Sequence, residues 1–365
     1  MGDRTRVVFV LGTSAGGVGR HVRMLAKGLA DAGHAVVVAG PAAVEETFGF
    51  TEAGARFVPV PIADRPHPVN DLRAVARLRH IASEAHVVHA HGLRAGALAA
   101  LAGMGTPVPL VVTLHNAATA GGAIGAVYAA LERVVARGAT VVLGVSPDLE
   151  ERMRALGARD VRAAVVPAPP HEPGRSAEEV RRELGAGERP VLLTVARLAQ
   201  QKGLETLLDT AAVPYPEEPL FVVAGDGPLR GALEERIDRE GLPVRLLGAR
   251  NDVADLLSVA HAVVVPSRWE GQPLSVQEAL RAGCPIVATA VGGLPAMVGD
   301  AGTLVAYGDV AAMRGAVREV LADAERRERL AAAARVRGRE LPGEAEALAL
   351  VFIVYTECTG GRIVA

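Results

Sequence analysis

The sequence of 365 residues predicts an α/β protein made of two doubly wound domains. Short runs rich in Val, Leu and Ile alternate with longer segments rich in Ala, Leu and Arg, and most of the short runs are apolar on both faces. This rhythm occurs twice, before and after a segment that holds four prolines within residues 167–173. Because a single core rarely exceeds roughly 250–300 residues, the length also favours two domains.

Each series of predicted strands consists of short runs of the kind that lie buried in parallel sheets. The first series is Val7–Leu11, Ala35–Ala39, Val87–Ala90, Leu110–Leu114 and Val141–Val145, with helices expected at Gly19–Ala32 and Asp71–Ser83. The second series is Val191–Val195, Leu220–Ala224, Val244–Leu247, Ala262–Pro266, Pro285–Thr289 and Gly302–Val305.

The Pro-rich segment predicts a linker, because proline lacks a backbone donor and cannot continue a helix or a central strand. We expect a first domain at 1–165, the linker at 166–175 and a second domain at 176–340. The remaining residues, 341–365, include an apolar run at Glu344–Tyr355 that suits a helix packing back on the first domain. Ligands in doubly wound domains bind at the carboxyl ends of the strands, so the motifs there carry the functional argument.

Composition excludes several classes of protein. A net charge of −2 and 3% aromatic residues argue against a nucleic-acid binder. Cys284 and Cys358 cannot form a disulfide framework, and no run reaches the roughly 20 apolar residues that span a bilayer. Residues 1–165 carry 17 basic and 13 acidic side chains, which is either sampling noise or a sign of contact with an anionic membrane surface or acceptor. We expect a cytoplasmic protein, with peripheral attachment at the inner membrane face as an alternative.

A glycine-rich loop, residues 12–20, follows the first predicted strand and opens the first helix. Glycines let the backbone approach a ligand, and the amides at the start of a helix favour an anion. The spacing matches neither the dinucleotide fingerprint nor the Walker loop. A tight turn without a ligand is the alternative.

Histidines follow two neighbouring strands of the first series. His89 and His91 point the same way along an extended chain, and His115 follows the next strand. Either they are structural or one of them handles a proton or a hydrogen bond at a site. No carboxylate or thiol ligand lies nearby in sequence, so we expect no metal site.

Two cations follow the first strand of the second domain. Arg197 offers a rigid fork of donors and Lys202 a compact charge, a pair suited to the oxygens of a phosphate or diphosphate. Of the 39 Lys and Arg residues, only Lys27 and Lys202 are lysines. We expect Lys27 to be a solvated surface residue, and we expect a ligand contact at Lys202.

A pair of carboxylates, Glu270 and Glu278, stands in the segment 266–280. Carboxylates accept hydrogen bonds from sugar hydroxyls, and the start of a helix near Pro273 or Leu274 suits a diphosphate. Two carboxylates also occur in glycoside hydrolases. The cationic elements nearby favour a nucleotide-sugar site.

These motifs together resemble the GT-B glycosyltransferases of family 4, retaining enzymes that use nucleotide-diphosphate sugars. The likeness is carried by the Glu270-x7-Glu278 spacing and by the segments 196–203, 224–228, 247–248 and 283–293. It implies two Rossmann-like domains facing each other across a cleft, and a reaction without metal or cofactor. One departure is the sequence after Val166-Pro167, where family members often have Asn-Gly and this chain has Ala168-Pro-Pro170.

The resemblance also implies roles for individual residues. Arg197 and Lys202 would bind the donor diphosphate and stabilise its departure. Glu278 would hold the ribose hydroxyls, and Glu270 would contact the transferred sugar. His91, with His89 as substitute, would lie beside the reaction centre. The remaining contacts with donor or acceptor are implied at Gly16, Gly17, Gly19, Leu247, Gly248, Gly271, Leu274 and Ser275.

The sequence therefore predicts a glycosyltransferase that moves a sugar from a nucleotide-diphosphate sugar to an acceptor hydroxyl. A nucleotide-sugar 2-epimerase of the same fold and a non-catalytic nucleotide-sugar-binding protein are the alternatives. The acceptor is left open as a small molecule, a glycan or a lipid-linked molecule. The apolar segment 117–130 suits either a surface near a lipid-linked acceptor or a core helix.

Overall fold

The computed structural model describes residues 5–14, 16–63, 67–117, 122–170 and 172–361. The chain divides into two compact units. Unit 1 contains Met1–Pro167 and Pro342–Ala365, and unit 2 contains Ala168–Leu341. The chain thus passes from unit 1 to unit 2 within the Pro-rich segment and returns to unit 1 near its end.

Unit 1 has a parallel sheet whose order, within the described residues, is β3-β2-β1-β4-β5-β6-β7. Its strands are β1 (Arg6–Leu11), β2 (Ala35–Gly40), β3 (Arg56–Pro59), β4 (Val87–His91), β5 (Leu110–Leu114), β6 (Val141–Gly144) and β7 (Val161–Ala163). The helices between them are α1 (Gly17–Asp31), α2 (Ala42–Phe48), α3 (Pro68–Ala82), α4 (Leu93–Gly103), α5 (Gly122–Gly138) and α6 (Pro147–Ala155). Leu11 pairs with His91 in the β1–β4 register, so the ends of these strands lie side by side.

Unit 2 repeats this architecture with the described order β10-β9-β8-β11-β12-β13. Its strands are β8 (Val191–Val195), β9 (Leu220–Ala224), β10 (Val244–Gly248), β11 (Ala260–Val265), β12 (Ile286–Thr289) and β13 (Gly302–Val305). Its helices are α7 (Ala177–Glu183), α8 (Leu204–Ala211), α9 (Arg230–Glu240), α10 (Val253–Val259), α11 (Leu274–Arg281), α12 (Leu294–Val298), α13 (Val310–Ala322) and α14 (Ala324–Glu340). Apolar side chains on both faces of the sheet build its core, as expected for a parallel sheet covered by helices.

All the predicted strands are present, with ends that differ by a few residues at most. The sequence pattern missed β3 and β7, the two edge strands of unit 1. Both are short, and their side chains are exposed or half-buried in place of the fully buried pattern of the central strands. These two strands therefore lack the apolar pattern that identifies the central strands in the sequence.

The segment predicted as a linker is fixed to unit 2 over much of its described length. The amide of Ala168 donates to Oε1 of Gln277 at 2.9 Å, and the amide of Gly174 donates to Oδ1 of Asp255 at 2.6 Å. Arg175 adds an ion pair with Asp255. The prolines set the backbone direction, and polar side chains of unit 2 satisfy the free amides.

The last helix, α15 (Glu344–Cys358), belongs to unit 1. Tyr355 on this helix is fully buried, and Gly28 on α1 lies so close to Leu348 that an added Cβ would meet its side chain at 2.5 Å. Arg162 pairs with Glu357 at 2.7 Å. In the described part of the chain, no helix is long and apolar enough to cross a bilayer.

Candidate functional site

The residues predicted to bind a donor in unit 2 lie at the carboxyl edge of its sheet. β10, β9, β8 and β11 are consecutive, and the order of the strands reverses between β8 and β11. In a doubly wound sheet the connections diverge at such a reversal and leave room for a ligand. The predicted residues follow three of these strands: Arg197 and Lys202 after β8, Leu247 and Gly248 at the end of β10, and Glu270, Gly271, Leu274, Ser275 and Glu278 after β11.

An ion pair between a half-buried lysine and a buried carboxylate joins the connections that follow β8 and β11. Nζ of Lys202 lies 2.7 Å from Oε1 and 2.9 Å from Oε2 of Glu270. Oγ of Ser267 donates to Oε1 at 2.6 Å. Glu270 is only 5% exposed, so these donors replace water around its charge. Among the described contacts Oε1 accepts two hydrogen bonds and Oε2 one, which leaves Oε2 with capacity for a ligand hydroxyl.

The position of Lys202 depends on a tight turn. Gly203 has φ +60°, and an added Cβ would lie 2.1 Å from the carbonyl oxygen of Pro266. Glycine therefore allows the connection after β8 to pass directly against the connection after β11. Nε2 of Gln201 donates to the carbonyl of Trp269 at 2.9 Å and fixes the two connections together.

The backbone of Glu270 is held from the opposite side by the connection after β12. The amide of Gly293 donates to its carbonyl at 2.9 Å. Gly292 has φ +53°, and an added Cβ would lie 1.9 Å from the same carbonyl oxygen. Oγ1 of Thr289 donates to the carbonyl of Ser267 at 2.6 Å.

Sequence reasoning gave no role to Ser267, Thr289 or Gly292. Thr289 and Gly292 lie in the segment 283–293 that carried the resemblance, and Ser267 lies in the segment 266–280 that holds the two carboxylates, but nothing in the sequence connected them with Glu270. Ser267 and Thr289 become visible as supports of Glu270 only when the strand order brings β11 and β12 together.

Helix α11 presents the second carboxylate. It begins at Leu274 after Pro273, and Glu278 lies half-buried at the start of its second turn. Gly271 is buried before the helix, while Leu274 and Ser275 are half-buried in its first turn. The predicted start of this helix is therefore where the structure has it.

Arg197 and the predicted base-binding residues lie on connections that contact each other. The residue Arg197 is exposed, and the amide of its neighbour Leu198 donates to the carbonyl of Asp226 at 3.0 Å. The amide of Gly225 donates to the carbonyl of Gly248 at 2.7 Å. The edge of the sheet from β10 to β8 thus forms one hydrogen-bonded surface next to Lys202.

Unit 1 has a cavity of about 390 Å³ at the corresponding edge of its own sheet. The connections after β1, β4 and β5 contribute to it, and β1 and β4 are the strands at which the order reverses. The polar lining comprises Thr13, Ser14, His91, Arg94, His115, Asn116 and Tyr128.

His91, the last residue of β4, belongs to a cluster of imidazoles. Its Nδ1 lies 3.0 Å from Nε2 of His115, and its ring is 4.3 Å from that of His89, centroid to centroid. His21 on α1 packs edge-on against His91 at 5.6 Å. Nε2 of His91 and Nδ1 of His21 are buried and have no hydrogen-bond partner among the described residues.

The cluster is uncharged at neutral pH. Burial lowers the pKa of His89 to about 3 and that of His115 to about 4, and in His89 repulsion from His115 adds to the effect. The pKa values of His21 and His91 are lowered well below the ordinary value by burial and by their imidazole neighbours. His91 is therefore a neutral hydrogen-bonding group at the edge of the cavity.

His89 does not suit the role of substitute for His91. It is fully buried, with Nδ1 2.7 Å from the hydroxyl of Tyr355 and Nε2 2.7 Å from Oγ1 of Thr113. Both ring nitrogens are thus occupied by the protein. The alternation of the strand correctly gave the two histidines one direction, but the C-terminal helix covers His89.

The glycines of the loop after β1 serve different structural purposes. Gly16 and Gly17 stand at the start of α1, where backbone amides are available. At Gly19 an added Cβ would lie 2.1 Å from the ring of Phe48, so this glycine lets α1 pack on α2. The loop residues that line the cavity are Gly12, Thr13 and Ser14.

Arg94 is the cation in the described lining of the cavity, and its charge is balanced by Asp71. Nη2 lies 2.7 Å from Oδ1 and Nη1 3.2 Å from Oδ2, a two-pronged contact. Nε donates to the carbonyl of Ala63 at 3.1 Å. The ion pair ties the first turn of α3 to the first turn of α4.

Comparison with known proteins gives matches to both units. The family "Glycosyl transferase 4-like domain" matches residues 16–169, and "Glycosyl transferases group 1" matches residues 176–337. The D-inositol 3-phosphate glycosyltransferase of Xylanimonas cellulosilytica is 35% identical over 306 residues, which cover 76% of this chain and 73% of the relative. The glycogen synthase of Mycobacterium tuberculosis is 32% identical over 368 residues, 88% of this chain and 86% of that protein.

Solved structures share the fold. HepE from Anabaena in complex with UDP matches with a TM-score of 0.80 at 20% identity, over 97% of this chain and 100% of HepE. Sucrose-phosphate synthase from Thermosynechococcus elongatus matches with a TM-score of 0.80 at 20% identity, over 98% of this chain and 100% of the synthase.

Two parallel α/β units with these structural matches define the GT-B fold. The chain belongs to glycosyltransferase family 4, by its two family matches and by relatives that it covers over most of their length. The fold class and the family predicted from the motifs are confirmed.

The close approach of Gly292 to Glu270 predicts a large effect of one added methyl group. Gly292→Ala combines the strain of a positive φ, about 1–2 kcal/mol, with an overlap against the carbonyl of Glu270 that adds about 1–3 kcal/mol. Gly241→Ala is the matched control, since its φ is +59° and nothing lies within 4 Å of the added Cβ. Denaturant unfolding should show the larger loss of stability for Gly292→Ala, and equal losses would contradict this account.

The lowered pKa values in the histidine cluster predict a loss of stability in acid. An unfolded His89 takes up a proton below pH 6.5, whereas the folded one stays neutral to about pH 3. The free energy of unfolding should therefore fall with decreasing pH across this window, by about 1.4 kcal/mol per pH unit for each such histidine. In His89→Gln the slope between pH 6 and pH 4 should be shallower than in the wild type, with parallel curves above pH 7. An unchanged slope would show that His89 titrates alike in both states.

Proposed function

We propose that the enzyme transfers a sugar, with retention at the anomeric carbon, from a uridine-diphosphate sugar to an acceptor hydroxyl. The observation that carries the proposal is the Lys202–Glu270 pair at the strand reversal of unit 2. HepE of the same fold has been solved with UDP and with UDP-glucose, which supports a nucleotide-sugar donor for this chain.

Lys202 binds the leaving diphosphate in this proposal. An ammonium group has three donors, and the two contacts with Glu270 leave one for a phosphate oxygen. Arg197, exposed at the end of β8, adds a fork of donors to the same group. The free amides at the start of α11, at Leu274 and Ser275, add partial positive charge. These charges stabilise the negative charge that develops on the leaving group.

The two carboxylates orient the donor. Oε2 of Glu270 accepts a hydrogen bond from a hydroxyl of the transferred sugar, while Ser267 and Lys202 keep the side chain in place. Glu278 on α11 accepts from the ribose hydroxyls. The backbone at Leu247 and Gly248 lies beside the base. Because the protein itself supplies the cations, we propose that the reaction requires no metal ion.

The acceptor binds in the cavity of unit 1. Its lining offers hydroxyl, amide and imidazole groups, and the charge of Arg94 is balanced by Asp71, which favours a hydroxyl-bearing acceptor over an anion. His91 positions the attacking hydroxyl as a neutral partner. With retention, the departing phosphate takes the proton of the acceptor, so His91 does not have to act as a strong base.

Replacing Lys202 should remove a contact made with the leaving group. In Lys202→Ala we expect kcat/KM to fall about 100- to 1000-fold and the thermal shift caused by UDP to disappear. Lys27→Ala is the matched control, because Lys27 is exposed and contacts only Asp31 among the described residues, at 2.6 Å. Lys202→Arg keeps the positive charge beside Glu270, so comparing its melting temperature with that of Lys202→Ala shows whether unfolding contributes to the loss of activity. Unchanged turnover and UDP binding in folded Lys202→Ala would refute the proposed site.

Incubation with the donor alone separates the transferase from a 2-epimerase. We expect the sugar of the donor to keep its configuration in the absence of an acceptor, since the proposed reaction breaks only the anomeric bond and leaves the proton at C2 in place. The measurement is an NMR spectrum of the nucleotide sugar over time. Appearance of the 2-epimer without an acceptor would favour the epimerase.

A further inference from the structure

Unit 1 exposes large apolar side chains at the amino-terminal turns of two helices. Val69 and Leu72 stand on the first turns of α3, and Leu72 is 72% exposed. Ile124 and Val127 stand on the first turns of α5, and Ile124 is 63% exposed. The expectation that segment 117–130 forms a core helix is therefore wrong for these two positions. The four side chains occur as two pairs, each at the start of a helix, and such pairs of large exposed apolar residues favour contact with another apolar phase over isolated surface positions.

Both groups stand next in sequence to residues of the cavity in unit 1 or to a partner of such a residue. Val69 and Leu72 flank Asp71, which pairs with the cavity residue Arg94 at 2.7 Å. Ile124 and Val127 lie just before Tyr128, another residue of the lining. Helix α4 packs against both α3 and α5, so the three helices start side by side at the carboxyl edge of the sheet.

The charges on these two helices have one sign where they face solvent. Arg73 and Arg77 on α3 are exposed, as are Arg133 and Arg137 on α5. The acidic residues of the two helices are engaged elsewhere, since Asp71 pairs with Arg94 and Glu132 pairs with Arg152 at 2.8 Å.

The spacing of the two kinds of side chain suits a bilayer. Leu72 and Arg77 are five residues apart, which is about 7.5 Å along a helix. Val127 and Arg133 are six residues apart, which is about 9 Å. The headgroup region of one leaflet is roughly 5–8 Å thick. Apolar side chains at the helix starts can thus reach the acyl boundary while the arginines stay at the level of the lipid phosphates.

We propose that the first turns of α3 and α5 form a docking face for a bilayer of anionic lipids. The apolar residues Val69, Leu72, Ile124 and Val127 enter the interface, and the exposed arginines bind the headgroups. The cavity then opens at the membrane surface. Given the proposed acceptor site, this favours an acceptor carried on a lipid over a freely diffusing one.

Vesicle binding tests the docking face directly. The full-length protein is sedimented with vesicles of phosphatidylcholine alone or of phosphatidylcholine mixed with phosphatidylglycerol. We expect binding to the mixed vesicles that weakens with salt. The double variant Leu72→Ser/Ile124→Ser should bind at least about tenfold more weakly than the wild type, and Arg77→Gln/Arg133→Gln should lose the dependence on phosphatidylglycerol.

The chain offers a matched control at the other end of α4. Leu101 and Met104 are also exposed, Met104 by 65%, but they lie at the amino edge of the sheet. Leu101→Ser/Met104→Ser should bind vesicles as the wild type does. The proposal would be overturned if this control lost vesicle binding to the same extent as Leu72→Ser/Ile124→Ser. It would also be overturned if the wild type did not bind mixed vesicles, or if Leu72→Ser/Ile124→Ser bound them as the wild type does.

Two further measurements keep this proposal separate from the proposed function. Lys202→Ala should bind vesicles normally, and Leu72→Ser/Ile124→Ser should keep the melting temperature of the wild type and its thermal shift with UDP. A self-associated wild type that becomes monomeric in Leu72→Ser/Ile124→Ser would assign the face to a second copy of the chain and overturn the membrane partner.

Discussion

The ion pair between Lys202 and Glu270 is the interaction on which the carboxyl edge of the sheet in unit 2 depends. A carboxylate that is only 5% exposed is stable as an anion only if cations and donors replace its water. Lys202 and Ser267 do this from two different connections. The pair forms only if the connections approach each other closely, which explains why glycine occupies positions 203 and 292. A side chain at either position would push apart the backbones that bring the charges together.

The two units have opposite electrostatics at the same place in their sheets. At its strand reversal unit 2 holds a lysine and a carboxylate, with an exposed arginine nearby. Unit 1 holds imidazoles whose pKa values are lowered by burial, next to an arginine already balanced by Asp71. A charged edge suits a diphosphate, whereas a neutral one exchanges hydrogen bonds with hydroxyl groups. One architecture used twice thus supplies two different binding environments.

The sequence was most informative where burial is continuous. Central strands read as apolar runs, and the motifs after β8 and β11 follow from the rule that ligands bind at the carboxyl ends of strands. Edge strands such as β3 were missed, because half-exposed residues lack that pattern. The contact of His89 with Tyr355 joins residues 266 positions apart, and the spacing of residues in the sequence cannot predict such a contact. For the same reason the sequence could not separate His91 from His89, although only His91 borders the cavity.

The choice of lysine at position 202 follows from the geometry around Glu270. A guanidinium is a planar fork, and a two-pronged contact with the carboxylate would direct its donors into one plane. An ammonium group instead bonds to both carboxylate oxygens at 2.7 and 2.9 Å and keeps a donor that points elsewhere. In a chain with 39 basic residues, nearly all of them arginine, a compact cation stands where one charge contacts both oxygens of a protein carboxylate and, in the proposed mechanism, a ligand anion as well. The rarity of lysine in this sequence is therefore informative, because composition would otherwise favour arginine at this position.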